Sequence, residues 1–395
     1  MTRLWDKGTS LDDRVLRYTA GEDHLLDERL VGYDVTASTA HVNMLHARGL
    51  LNDSDHAAIV DGLSRLGASH AAGEWHIALE DEDAHTALES RLTAAIGPPG
   101  GRMHLGRSRN DQVLAALRLY LRDAVESLTE GANDIVRALF ELAGREAETV
   151  LPGYTHMQQA MPSSVALWCG GFAANLQDDA LALKRCLARI NVGPLGSAAG
   201  YGTPGIPIDR EHTAAGLGFD AVQEPVTAVQ LARGKAEATV CFELTVLLND
   251  CSRIAADLLL FYTQEFAYVT LPDTLTTGSS IMPQKRNPDV LELIRAAPAT
   301  AQGCLNECLS ITTKLTSGYH RDLQRLKSPL FRCIDLAADT LAILKAMLEG
   351  VQFVPENIQM SDGLYAAEKA NRLVVEEGIS FREAYRRVGK EYGKS

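Results

Sequence analysis

Three short polar stretches hold most of the side chains able to do chemistry. In the first, His104-Leu105-Gly106-Arg107-Ser108-Arg109-Asn110-Asp111-Gln112, two arginines, a serine and an asparagine stand just ahead of a long apolar-periodic segment. Free N–H groups and the dipole at a helix start favour anions, and arginine grips carboxylates through paired hydrogen bonds. The plain alternative is a capped helix start with solvated charges. The second, Pro152-Gly153-Tyr154-Thr155-His156-Met157-Gln158, reads as a Pro-Gly turn that delivers Thr155, His156 and Gln158 together. His156 has the residue type for acid or base work near neutral pH, although a lone histidine also serves structural ends. The third runs from Gly278 to Pro288 as Gly-Ser-Ser-Ile-Met-Pro-Gln-Lys-Arg-Asn-Pro. It reads as a flexible loop with two basic residues, and Pro288 suits the first position of a following helix. A fourth stretch, Glu80-Asp81-Glu82-Asp83-Ala84-His85, is either a solvated acidic turn or a metal site built on Asp81, Asp83 and His85. No His-Glu-x-x-His accompanies it to support zinc.

The elements that position these stretches are helices. No proline falls between Pro99 and Pro152 or between Pro225 and Pro272, so helix interiors can run far there. Leu114, Leu117, Leu121, Ala124, Leu128, Ile135, Leu139 and Leu142 recur at steps of three, four and seven. That spacing predicts a helix over 112–147, about 50 Å long at 1.5 Å per residue. A second long helix is predicted over 228–265, apolar nearly all round, as expected of a helix buried between subunits. Shorter helices are predicted over 163–190, 288–313, 328–348 and 363–377. Alternating strand patterns are scarce, so the fold class is all-α. The Gly-rich stretch Gly193–Gly202 follows no strand and lacks Gly-Lys-Ser/Thr, which argues against nucleotide binding. With Gly97–Gly101 as a boundary, the expected division is an N-terminal helical domain 1–104, a long-helix central domain 105–355 and a short C-terminal domain 356–395.

Composition excludes other classes. The 395 residues are 46% hydrophobic and 23% charged, with a formal net charge of −13, which is no footprint for nucleic acid. No apolar run approaches ~18 residues, so no membrane span is expected. Met1-Thr2-Arg3-Leu4-Trp5-Asp6-Lys7 carries no apolar signal core. The seven cysteines include no Cys-x-x-Cys and read as buried free thiols in a reducing cytoplasm.

Together the polar stretches resemble one family. The third is similar to the Gly-Ser-Ser-x-Met-Pro-x-Lys-x-Asn-Pro signature of the fumarase/aspartase superfamily. The first and second resemble the Gly-Arg-Ser-Arg-Asn-Asp-Gln and Pro-Gly-Tyr-Thr-His-x-Gln stretches of its argininosuccinate lyase branch, as do Glu82–Ala87 and Tyr319–Gln324. The resemblance implies long central helices in a tetrameric bundle, active sites shared between subunits of a homotetramer, a small-molecule substrate, and no cofactor or metal. The implied reaction is elimination of fumarate from an N-substituted aspartate, foremost argininosuccinate to arginine plus fumarate. A lyase for another N-succinyl-type amino compound and a non-catalytic crystallin-like paralogue are the alternatives.

The reaction removes a barely acidic proton next to a carboxylate, so stabilising the enolate-like anion is the main requirement. By resemblance, Ser279 is the base, Lys285 and Asn287 hold the carboxylate, His156 protonates the leaving nitrogen and Glu292 is its carboxylate partner. Ser108, Arg109, Asn110 and Thr155 match contacts to the fumarate half. Tyr319, Gln324 and Lys327 match contacts to the amino-acid end of the leaving group, and Asp27 and His85 are further carry-overs. Three departures stand out. The family's Asn-x-Ser-Ile region reads Tyr18-Thr19-Ala20-Gly21-Glu22-Asp23. Its Asp-Arg-Asp-Phe reads Leu231-Ala232-Arg233-Gly234-Lys235-Ala236. The chain ends soon after Phe381-Arg382-Glu383-Ala384.

Overall fold

The computed structural model describes residues 12–392, so the opening Met1–Lys7 stretch lies outside the described residues. The fold is all-α, with four two-stranded β pieces as the exceptions. The helix predicted over 112–147 is Arg109–Arg145. Its start is a reciprocal cap: the Ser108 amide donates to Asp111 Oδ1 at 3.0 Å, and the Asn110 amide donates to Ser108 Oγ at 3.4 Å. Val165–Arg185, Asp289–Thr312, Lys327–Gly350 and Ala366–Glu377 follow the other apolar patterns. The second of these helices starts at Asp289 and carries Pro298 inside it. The segment predicted over 228–265 is not one helix. It breaks into Val226–Leu231 and Lys235–Tyr262. Gly234 sits between them at φ +85°, and a Cβ there would lie 2.4 Å from Thr312 Cγ2, so neither an α-helical backbone nor a side chain fits.

The chain forms two compact units. Unit 1 comprises the described parts of Met1–Ser127 with Ala182–Thr245 and Thr300–Asp335. Unit 2 comprises Leu128–Leu181, Val246–Ala299 and the described part of Leu336–Ser395. In unit 1, Val31–Ala47, Asp53–Ala71 and Ala84–Ile96 pack around Met44, Leu45, Ile59, Leu63 and Leu92, all fully buried. Each such side chain contributes about 1.5–3 kcal/mol by leaving water. Asp111 is buried and accepts the amides of Gly196 and Ala198 at 3.0 and 2.8 Å, so the Gly-rich stretch is tied down by the first long helix. In unit 2, Val150–Thr155 pairs antiparallel with Gln158–Ser164, with Thr155 opposite Gln158. The turn is therefore His156-Met157, at φ +54° and +60°, while Pro152-Gly153 lies within the strand; the expected Pro-Gly turn is corrected to this one. Two central residues at positive φ are what the right-handed twist of a tight hairpin demands. All seven cysteines are buried and free. Among the described residues no helix is long and apolar enough to cross a membrane.

Candidate active site

Unit 1 contains a polar cavity of about 150 Å³. Seven of the expected site residues line it: Asp27, His85, Arg109, Asn110, Tyr319, Gln324 and Lys327. Ser108 stands one residue ahead of Arg109 at the same helix start and is not itself in the lining. Asp83 links element to site. Its Oδ1 caps Ala84–Ile96 by accepting the Thr86 amide at 3.0 Å, and its Oδ2 pairs with Arg109. Burial disfavours the Asp83 carboxylate, but His85 and Arg109 outweigh it and hold its pKa well below the usual range. Arg109 is correspondingly committed, with Glu82 Oε2 a further 3.8 Å contact. The acidic turn is thus solvated only at its start: Glu80 is exposed and Asp81 half-buried, whereas Glu82 and Asp83 are buried. The groups weighed as metal ligands are instead engaged in ion pairs. Asp81 pairs with Arg91, Asp83 with Arg109 and His85 with Asp34, and no cluster among the described residues is fit to hold a metal ion.

His85 is buried with Nδ1 2.8 Å from Asp34 Oδ2, while its Nε2 has no partner. Burial opposes its charge, yet Asp34 outweighs burial and raises its pKa, which keeps a proton on the ring. Gln112 Nε2 donates to Asp34 Oδ1 at 2.9 Å and fixes that carboxylate in turn. Lys327 opens the Lys327–Gly350 helix and is fully enclosed, 2.5 Å from Asp27 Oδ1 and 2.9 Å from Asp23 Oδ2. Burial works against its charge, but the two carboxylates overcome this and hold its pKa above the ordinary value. Gln324 Nε2 donates to the Thr19 and Ala20 carbonyls at 2.8 and 3.2 Å.

Sequence reasoning gave no substrate-site role to five residues here, Asp23, Glu82, Asp83, Arg233 and Arg321, and weighed Asp83 only as a metal ligand. Glu82 takes φ +67° and receives Arg321 Nη2 at 3.3 Å, a strained backbone held at a site of converging charge. Arg233 has only 2% of its side chain exposed, sits 3.6 Å from Glu237 and keeps unpartnered guanidinium nitrogens. Arg321 lay in a quoted stretch, and Asp23 and Arg233 lay in the two departures. The quoted stretches, for Glu82, Asp83 and Arg321, and the departures, for Asp23 and Arg233, were therefore the available signal.

The remaining expected residues belong to unit 2. Thr155 and His156 stand exposed at the hairpin turn. Thr277–Gly278 pairs with Arg286–Asn287, so Ser279–Lys285 is a closed seven-residue loop. Ser279 Oγ accepts the Met282 amide at 3.1 Å and the Ile281 amide at 3.4 Å, two donors that favour a negative oxygen. Lys285 is exposed and Asn287 half-buried, and Glu292 is exposed on Asp289–Thr312. Within one protomer, no hydrogen bond or ion pair joins His156 to Glu292 among the described contacts.

A family model described as a lyase matches residues 15–303. An argininosuccinate lyase from Sorangium cellulosum is 46% identical over 98% of this chain and 90% of its own length. Those from Xylella fastidiosa and Thermotoga neapolitana are 41% and 38% identical, over 98% and 99% of this chain and 87% and 98% of their own. Among solved structures, EDDS lyase in complex with formate superposes with a TM-score of 0.83 at 28% identity, covering 98% of this chain and 78% of that one. A class II fumarase from Schistosoma mansoni superposes at 0.80 with 17% identity, covering 96% and 89%, and shares the fold. These likenesses define the class as a carbon–nitrogen lyase with the fumarase/aspartase fold. Within that class, the chain belongs to the argininosuccinate lyase branch.

Proposed function

We propose that the protein cleaves argininosuccinate to arginine and fumarate, as a cytoplasmic homotetramer with active sites shared between subunits and without a cofactor. The three-part division 1–104, 105–355 and 356–395 is kept within this proposal as the description of the assembled enzyme. The observation that carries the reading is the gathering of seven expected site residues in one polar cavity of unit 1.

In this reading Ser279 Oγ takes the proton from the carbon next to a succinyl carboxylate. The amides of Met282 and Ile281 already face that oxygen, as an alkoxide requires. Electrons move into the carboxylate, which Lys285 and Asn287 hold as it gains charge. Return of those electrons forms the carbon–carbon double bond and expels the nitrogen, which His156 protonates with Glu292 of the assembly supporting its charge. The proton lost from carbon is thus balanced by one gained on nitrogen. Ser108, Arg109, Asn110 and Thr155 are assigned to the fumarate half, and Tyr319, Gln324 and Lys327, with Asp27 and His85, to the leaving amino acid.

The test is fumarate absorbance with argininosuccinate. Turnover is expected, and Ser279→Ala should lower kcat by about 10²–10⁴-fold while the tetramer persists. No turnover of argininosuccinate, with cleavage of another N-substituted aspartate, would leave the reaction class and replace the substrate.

A further inference from the structure

The unit 1 cavity holds an acid outside the expected site set. Asp23 lines it, and its Oδ2 lies 2.9 Å from Lys327 Nζ, which also meets Asp27 Oδ1 at 2.5 Å. One ammonium is thus shared by two carboxylates, and its positive charge is spent before any ligand arrives. Lys327 is therefore already engaged, and the Asp23–Lys327–Asp27 cluster takes on a net negative charge once both carboxylates are ionised. Asp23 is also held in place. Gln324 and Arg321 both donate to the Thr19 carbonyl at 2.8 Å, pinning the backbone that leads through Gly21, at φ +54°, to Asp23. The unpartnered, buried Nε2 of His85 in the same lining indicates a cavity built for a polar ligand.

We propose that Asp23 is a specificity-determining residue that receives the ammonium of the leaving amino acid, with Lys327 and Asp27 positioning it. This rests on the proposed lyase reaction and adds a contact that no expected site residue supplies. Lys327, Asp27 and Asp83 act most strongly on Asp23, and His85, Arg109, Arg233 and Arg321 line the same cavity. Burial, tempered by Lys327, pushes Asp23 up to about 7, so its carboxyl carries a proton part of the time at neutral pH. An arriving ammonium favours the carboxylate. The Asp23 proton then leaves to the buffer, and ligand binding is accompanied by proton release.

The experiment is calorimetric titration of the full chain at pH 7 with L-arginine and with 5-guanidinopentanoate, which lacks only the amino group. Two buffers of different ionisation enthalpy are used, and wild type, Asp23→Asn and Asp23→Glu are compared. Wild type should prefer arginine by at least about tenfold and release protons on binding it. Asp23→Asn should weaken arginine by a similar factor, leave the des-amino ligand unchanged and abolish proton release. Asp23→Glu should restore part of the preference. Equal binding of both ligands by wild type, or an unchanged ratio in a folded Asp23→Asn, overturns the assignment. Failure to form fumarate from argininosuccinate is read in its own assay and overturns the proposed substrate instead. The same ratio is then measured with the amino acid that fumarate addition identifies and its des-amino counterpart.

Discussion

At the scale of single residues, buried carboxylates in one cavity are tuned in opposite directions by the balance between burial and partners. Asp83 is held as an anion by His85 and Arg109 against its burial, whereas burial dominates at Asp23 despite Lys327. The stability consequences differ in sign. A lowered pKa stabilises the fold above the unfolded value near 3.9, and that stabilisation fades as pH falls further. Asp83→Asn should therefore lower Tm at pH 7, reflecting a loss of about 3–5 kcal/mol of stability with Arg109 left unpaired, and the gap to wild type should narrow below about pH 4. A raised pKa acts the other way: its stabilisation is present at low pH and lost as pH rises through about 7. Asp23→Asn should gain Tm relative to wild type more at pH 8 than at pH 5. Scanning calorimetry across pH checks both, and a difference independent of pH would refute the assigned tuning. Residue types alone marked Arg107 and Arg109 as anion-binding. The structure commits Arg109 to Asp83 and buries Arg107 against Ser38 at 2.9 Å.

At the scale of elements, the hairpin and the helix break set where site residues point. His156 and Met157 occupy turn positions that glycine or asparagine would fill with less strain. Met157→Gly should stabilise the protein by roughly 0.5–1 kcal/mol and leave turnover near wild type. A loss of Tm would show that the turn is not of this type. Gly234→Ala should cost more, about 1–3 kcal/mol from the backbone alone, and the 2.4 Å approach to Thr312 adds to it. Because Gly234 follows Arg233 in the cavity wall, KM should rise as well; an unchanged KM would mean that Arg233 is not disturbed.

At the scale of the whole molecule, the long helices bury most but not all of their apolar surface within a protomer. Leu293 is 73% exposed, Leu167 67% and Phe242 51%. Large apolar side chains exposed on helices fit the proposed tetramer. Light scattering should give four times 42.8 kDa for wild type. Leu293→Asp should shift the mass downward and abolish turnover, since the proposed sites draw on several subunits. A monomeric wild type that retains activity would sink that architecture.

Apolar period and proline spacing by themselves determined the all-α class and most of the long helices, because a helix face is written locally, every three or four residues. The signature stretches likewise marked the branch of lyases. Only the tertiary structure decided what those side chains touch. The Pro-Gly pair became strand, with the reversal at His156-Met157, since pairing register and not residue preference places a turn. Lys327 proved to be spent on Asp23 and Asp27, residues about 300 positions away in sequence. The charge left over at a site depends on neighbours brought together by packing, and no local spacing encodes them.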